Sequence, residues 1–210
     1  MEFDVSLLYG RLVPATNTAA TPANAVMTPA IENEICQRCA TTIKPHWSLV
    51  DGATYCWACA NLGRLSSQDV LLTIPEPRAY EIEPEPCVWT GTLTPAQQRV
   101  ADEQIKALKN GTSHLTYAVT GAGKTEMLFP MLTYALQAGK RVAIVSPRVD
   151  VIVELVPRIR AAFITDFVTL YGDSPDDYRY TQLVLASTHQ LLRFKQAFDV
   201  IVIDEVDAFP

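Results

Sequence analysis

Residues 118–125 read AVTGAGKT, between an apolar run, LTYAVT (115–120), and a helical segment from Lys124 to about Ala138 that Gly139 stops. The general phosphate-loop pattern is GxxxxGK[ST]. Ala118 stands at the first glycine position, and Gly121, Gly123, Lys124 and Thr125 fill the others. Small residues let the backbone curl, so that successive N–H groups of Thr120, Gly121, Ala122 and Gly123 point at one phosphate. The helix that follows adds its N-terminal partial charge. Lys124 is expected to bridge the β- and γ-phosphates of ATP, and Thr125 to give an oxygen to Mg²⁺. A ligand-free glycine-rich turn is the competing reading. A strand before, a helix after and Lys-Thr in register all count against it.

Downstream, the pattern alternates. RVAIVS (141–146), FVTLYG (167–172), QLVLAS (182–187) and DVIVID (199–204) read as buried strands. Asp150 to Phe163 reads as a helix that Pro157 should kink or interrupt, and Thr188 to Phe194 as a short one. Thr94-Pro95 opens a further helix to about Leu108 by N-cap and first-turn proline. Buried strands alternating with helices imply an α/β fold, a parallel sheet covered on both faces. The last strand ends in Asp204 and Glu205, far downstream of Lys124. Open α/β sheets bind ligands at that carboxyl end. Asp204 is expected to hold Mg²⁺, and Glu205 to orient and deprotonate an attacking water. Both motifs must reach one Mg²⁺–phosphate, so Lys124 and Asp204 are expected at adjacent strand ends.

Upstream, four of the five cysteines form two pairs, Cys36-x2-Cys39 and Cys56-x2-Cys59. That spacing matches a closed four-sulfur Zn²⁺ site with no open position for catalysis. Asp51-Gly52 between the pairs signals a hairpin turn. Residues 36–65 carry three bases and one acid, while 1–35 carry four acids and one base and 66–90 five acids and one base. The net charge of −6 therefore sits mostly beside a locally basic cysteine module. Trp47, Tyr55 and Trp57, with Arg38 and Lys44, could stack on and neutralise single-stranded nucleic acid. They could equally pack a small core. His46 reads as a surface residue, and Cys87 as a packed thiol. Residues 14–30 read as a flexible surface segment, and 75–86 as a stiff proline- and glutamate-rich linker. The chain is 49% hydrophobic. That is enough for a core, which excludes global disorder. It lacks an apolar run of about 18 residues, so no transmembrane helix is expected. Its N-terminus has no signal-peptide pattern, which makes a cytoplasmic protein the default.

Several motifs together resemble one family. GTLTPAQQ (91–98), AVTGAGKTEM (118–127), SPRVDVIVEL (146–155), ASTHQLLRF (186–194) and IVIDEVDAFP (201–210) look like the first motor lobe of superfamily 2 helicases. With a four-cysteine module in front, their order resembles the ComFA late-competence family. The resemblance implies a RecA-like lobe over 91–210, a zinc module over 36–65 and a linker over 66–90. Residues 1–35 form a partly flexible N-terminal segment. It implies an ATP-dependent single-stranded DNA translocase for DNA uptake in natural transformation. ATP, Mg²⁺ and Zn²⁺ are its cofactors, and the uptake channel and associated cytosolic proteins its partners. A peripheral position at the inner face of the membrane is compatible with it. By the same resemblance Gln97 belongs to the motif preceding the phosphate loop. Ser146, Pro147 and Arg148 fall in a motif that touches the DNA backbone, and Ser187, Thr188 and His189 in a second strand-contact motif. The family's motor continues with a second lobe, so the resemblance implies a fragment carrying half of the nucleotide site. Two alternatives stay open. A primosome-type restart helicase shares such motifs, but its zinc lies between the motor halves. A non-catalytic zinc, nucleotide and DNA-binding module is the other.

Overall fold

The computed structural model describes residues 4–18, 21–119, 121–172, 174 and 177–208. Thr120 of the phosphate loop, and Phe209 and Pro210 of the last motif, lie outside the described residues. The chain divides into two compact units.

The first unit comprises Met1–Pro77 and the distant segment Thr188–Ala197. It contains β1 (Val13–Thr16), β2 (Val26–Pro29), β3 (Ile31–Glu32), β4 (Ile35–Cys36) and β5 (Asp69–Thr73). β5 is the centre of an antiparallel sheet in the order β1-β5-β2, with Leu72 opposite both Val13 and Met27. Two expectations change here. Residues 14–30 contribute two strands to this sheet, and the linker expected from residue 66 supplies its central strand. Composition marked 14–30 as a loop through its Thr, Ala, Pro and Asn content, and the stretch from 66 as a linker through the prolines and glutamates of 75–86. An edge strand accepts proline, however, because its outer N–H needs no partner. β3 and β4 pair as a short hairpin, and Ala30, Cys36, Ile43, Trp47, Cys56, Cys59, Leu65 and Leu71 form the core beside it.

The second unit comprises Arg78–Ser187 and Phe198–Pro210. It contains α1 (Pro95–Asn110), α2 (Lys124–Gln137), β6 (Val142–Ser146), α3 (Val149–Ala162), β7 (Phe167–Leu170), β8 (Leu183–Ser187) and β9 (Val200–Ile203). The sheet is wholly parallel, in the order β7-β8-β6-β9, with β6 and β8 buried along their length. Leu132 and Leu136 of α2 and Ile152, Leu155 and Ile159 of α3 pack with Ile144, Leu183 and Leu185 of the sheet. α1 starts with a full capping box between Thr94 and Gln97, ends at left-handed Gly111, and lies along α2.

Three further expectations are corrected. Pro157 sits inside α3 without breaking it. The carbonyl it frees is that of Val153. Val153 lies on the exposed side of α3, at 49%. LTYAVT forms no strand over its described residues 115–119, and Leu115, Tyr117 and Val119 are largely exposed. An apolar run becomes a strand only when a neighbour supplies a hydrogen-bond ladder. Among the described residues none pairs with it. Nor is β9 buried on both faces: Val200 and Val202 pack against the core, while Ile201 and Ile203, on the other face, are 50% and 44% exposed.

Candidate functional site

The phosphate loop is held from α1. Gln97 accepts from Thr94 N through Oε1 (2.8 Å) and donates through Nε2 to the Ala122 carbonyl (2.9 Å). One side chain thus fixes the start of α1 and the turn of the loop. Gly121 (φ +79°) and Gly123 (φ +77°) adopt left-handed backbone. Residues with a Cβ rarely tolerate that conformation. Gly123 caps α2 without a side chain. No side chain therefore competes for the first N–H groups of the helix. A Cβ on Gly121 would meet nothing within 4 Å, which leaves that side of the loop open. Lys124 is exposed and Thr125 half-buried. These features fit a phosphate. Arg158 of α3 donates to Thr125 Oγ1 at 3.4 Å, a contact with no signal in the sequence because Arg158 belongs to no motif.

The acidic motif begins where β9 ends. Asp204 N donates to the Val145 carbonyl (2.8 Å), which seats Asp204 beside the carboxyl end of β6. Asp204 Oδ1 accepts from Glu205 N (2.9 Å), and Glu205 takes a left-handed turn (φ +52°). Glu205 Oε2 forms an ion pair with Arg148 Nη1 at 3.4 Å but receives no hydrogen bond. Arg148 also pairs with Asp150. Asp150, then Glu205, hold the guanidinium above its ordinary range, and Arg148 holds the Asp150 carboxyl down. Ser146 is fully buried, and its Oγ accepts from Arg148 N (3.2 Å); Pro147 is half-buried. Ser146 and Ser187 are register partners across β6 and β8. The fold therefore brings Ser146, Pro147, Arg148, Ser187, Asp204 and Glu205 to the carboxyl ends of three neighbouring strands. Ser187 is buried, Thr188 half-buried and His189 exposed. Among the described residues no hydrogen bond or ion pair joins Lys124 to Asp204.

The four cysteine sulfurs lie within 4.8 Å of one another. Cys36–Cys59 Sγ are 3.8 Å apart, and Cys39–Cys56 and Cys56–Cys59 3.6 Å. A tetrahedron with Zn–S bonds of about 2.3 Å has edges of about 3.8 Å, so the cluster fits zinc. Burial pushes the Cys56 and Cys59 thiols up. Burial also opposes ionisation of Cys39, but hydrogen bonding with Thr41, first among several, brings that thiol down to about 7. Arg38 does not face solvent as a nucleic-acid contact would. It is buried, directing Nε and Nη2 at Cys59 Sγ (3.3 and 3.1 Å) and donating to the carbonyls of Cys59, Leu62 and Gly63. Trp47 is likewise core, whereas Trp57 is 65% exposed. Lys44 Nζ lies 5.5 Å from the Trp47 ring, and His46 is exposed and takes no part in the cluster. The Asp51-Gly52 turn forms as expected, with Leu49 N donating to the Ala53 carbonyl.

Comparison with known proteins places these features. A DEAD/DEAH box helicase profile matches residues 94–210. The chain is 42% identical to Competence protein ComFA of Streptococcus pneumoniae over 188 residues, 87% of this chain and 42% of that protein. It is 43% identical to Competence protein ComFA of Bacillus subtilis over 180 residues, 83% of this chain and 39% of that protein. Replication restart protein PriA of Chlamydia pneumoniae is 29% identical over 115 residues, 54% of this chain and 14% of that protein. The chain thus spans about two fifths of the length of the ComFA relatives, and the resemblance read from its motifs is borne out.

Proposed function

The chain belongs to the DEAD/DEAH box helicase family, and from that premise we propose that it is the nucleotide-binding part of an ATP-driven, single-stranded DNA translocase serving DNA uptake in natural transformation. What carries the reading is the meeting of Arg148, the Ser146–Ser187 register pair and the Asp204–Glu205 pair at the carboxyl ends of β6, β8 and β9. ComFA relatives, named as competence proteins, supply the biological setting. In this reading the work is done in the cytoplasm, at the inner face of the membrane, beside an uptake channel. Among the described residues no helix is long and apolar enough to cross a membrane.

The N–H groups of residues 120–123 and the start of α2 hold the phosphates of ATP, and the Lys124 ammonium neutralises their charge. Gln97 orients the loop. Thr125 and Asp204 would hold Mg²⁺, which when bound neutralises charge developing on the transferred phosphoryl group. Glu205 Oε2, free of hydrogen bonds, orients a water and accepts its proton. Arg148 and Pro147, with the backbone around buried Ser146 and Ser187, contact a DNA strand through its phosphates, and Thr188 and His189 belong to a separate strand-contact motif. Cys36, Cys39, Cys56 and Cys59 hold a structural zinc ion. Titration of the chain with MgATP and with single- and double-stranded oligonucleotides tests this. Lys124→Ala is expected to weaken MgATP binding at least about tenfold, the worth of a charge-assisted hydrogen bond, and to leave DNA affinity intact. Native MgATP affinity in Lys124→Ala, or no preference for single strands, refutes it.

A further inference from the structure

The segment Thr188–Ala197 leaves the carboxyl end of β8 and returns to β9, yet it is built into the cysteine unit. Leu12 N donates to the Arg193 carbonyl and Lys195 N to the Gly10 carbonyl, both at 2.8 Å. Arg11 and Phe194 form an antiparallel bridge. Ala197 is buried so close to Gly10 that a Cβ on that glycine would stand 2.7 Å from its own. The side chain at the centre of this docking is Arg193. Its Nη2 donates to the Leu62 carbonyl at 3.3 Å, and the same oxygen accepts from Arg38 Nη1 at 3.2 Å. The Arg38 guanidinium in turn touches Cys59 Sγ.

Two guanidinium groups thus meet on one neutral oxygen, and among the described residues neither is paired with a carboxylate. Arg193 Nε is buried without a hydrogen-bond partner. Burial, then the Arg38 charge, push Arg193 below its ordinary range, the mark of an uncompensated cation. Four thiolates around one divalent cation carry a net charge of two negatives, which matches the two guanidinium groups. We propose that Arg193 is a positioning residue that ties the segment Thr188–Ala197 to the zinc-loaded cysteine cluster through the Leu62 carbonyl it shares with Arg38. The metal thereby governs how firmly the residues following Ser187, among them Thr188 and His189, are held. This rests on the zinc reading of the four cysteines and does not depend on the DNA reading.

Because coupling is reciprocal, a segment held by the metal must also hold the metal. The test is zinc affinity of the whole chain, measured by competition with a chromophoric chelator, together with amide hydrogen exchange at Leu12 and Lys195. Arg193→Leu is expected to weaken zinc about three- to tenfold although it touches no cysteine, below the roughly 10- to 100-fold expected of Arg38→Leu, which does. It is also expected to speed exchange at both amides with one zinc still bound. Arg193→Lys, which keeps the charge, is expected to recover most of the zinc affinity and keeps the test decisive should the leucine variant fold poorly. Zinc affinity in Arg193→Leu within twofold of native overturns the coupling. A native chain that binds no zinc overturns the zinc reading and the coupling with it.

Discussion

Replacing Gly123 with alanine probes how the phosphate loop is held. Gly123 has φ +77°, and a Cβ on it would lie 2.6 Å from Gln97 Nε2 and 3.3 Å from Glu126 Oε2. Left-handed backbone costs an L-residue about 1–2 kcal/mol. The Gln97 amide is the far end of a flexible side chain, so it moves while the backbone stays. What is then lost is its 2.9 Å hydrogen bond to the Ala122 carbonyl, worth about 0.5–1.5 kcal/mol. The total is about 1.5–3.5 kcal/mol, or roughly one to two and a half decades in MgATP Kd. If the loop relaxes when empty, the loss falls on binding; if it does not, it falls on stability. Titration with a fluorescent ATP analogue and urea unfolding, read together, capture both. A double-mutant cycle isolates the contact. Gln97→Ala alone removes the hydrogen bond, so adding Gly123→Ala contributes only the backbone cost. The double variant should lose about 0.5–1.5 kcal/mol less than the sum of the singles. Strict additivity, or native binding and stability in Gly123→Ala, refutes the reasoning.

Trp47→Ala is expected to destabilise the chain by about 3–5 kcal/mol, as for a buried aromatic. Trp57→Ala should stay within about 0.5 kcal/mol of native stability yet weaken single-stranded DNA binding by about 1–3 kcal/mol, the worth of one base stack. Unfolding curves and salt-dependent oligonucleotide titrations separate the two. Metal analysis of the purified chain should find one zinc. Cys59→Ser should lose it and unfold the cysteine module, because metal binding supplies on the order of 10 kcal/mol of folding free energy in such sites. Arg141→Leu should cost about 1–3 kcal/mol in urea unfolding. Arg141 is fully buried, donates to the Thr181 carbonyl (3.0 Å) and the Tyr178 hydroxyl (3.1 Å), and its guanidinium carbon lies 4.6 Å from the Tyr180 ring centre.

What could be read directly was local chemistry. The paired CxxC turns depend on residues three apart, and their sulfurs do converge. The Thr94-Pro95 start of α1 and the glycines of the phosphate loop follow from caps and φ preferences carried by single residues. The apolar runs of β6 and β8 were legible because a strand buried on both faces must be apolar throughout. The order Lys124, then Asp204 and Glu205, marked a candidate nucleotide site by spacing and residue type, but not how the parts are joined. That Gln97 grips Ala122 and that Arg148 reaches Glu205 depends on elements brought together from well-separated parts of the chain.

The tertiary structure alone decided whatever depends on a partner. Residues 69–73 became a central strand because β1 and β2 flank them, while the largely apolar 115–119 did not, since no described strand lies alongside. Arg38 and Trp47 carried the composition of a nucleic-acid contact, yet the core beside the cysteines claimed both. Arg193 lies within the ASTHQLLRF stretch, but nothing in that motif gave it a role of its own: its importance rests on the carbonyl of Leu62, distant in sequence. Propensity, capping and ligand spacing are encoded within a few residues. Ladder pairing, burial and shared hydrogen-bond acceptors exist only once distant segments have met.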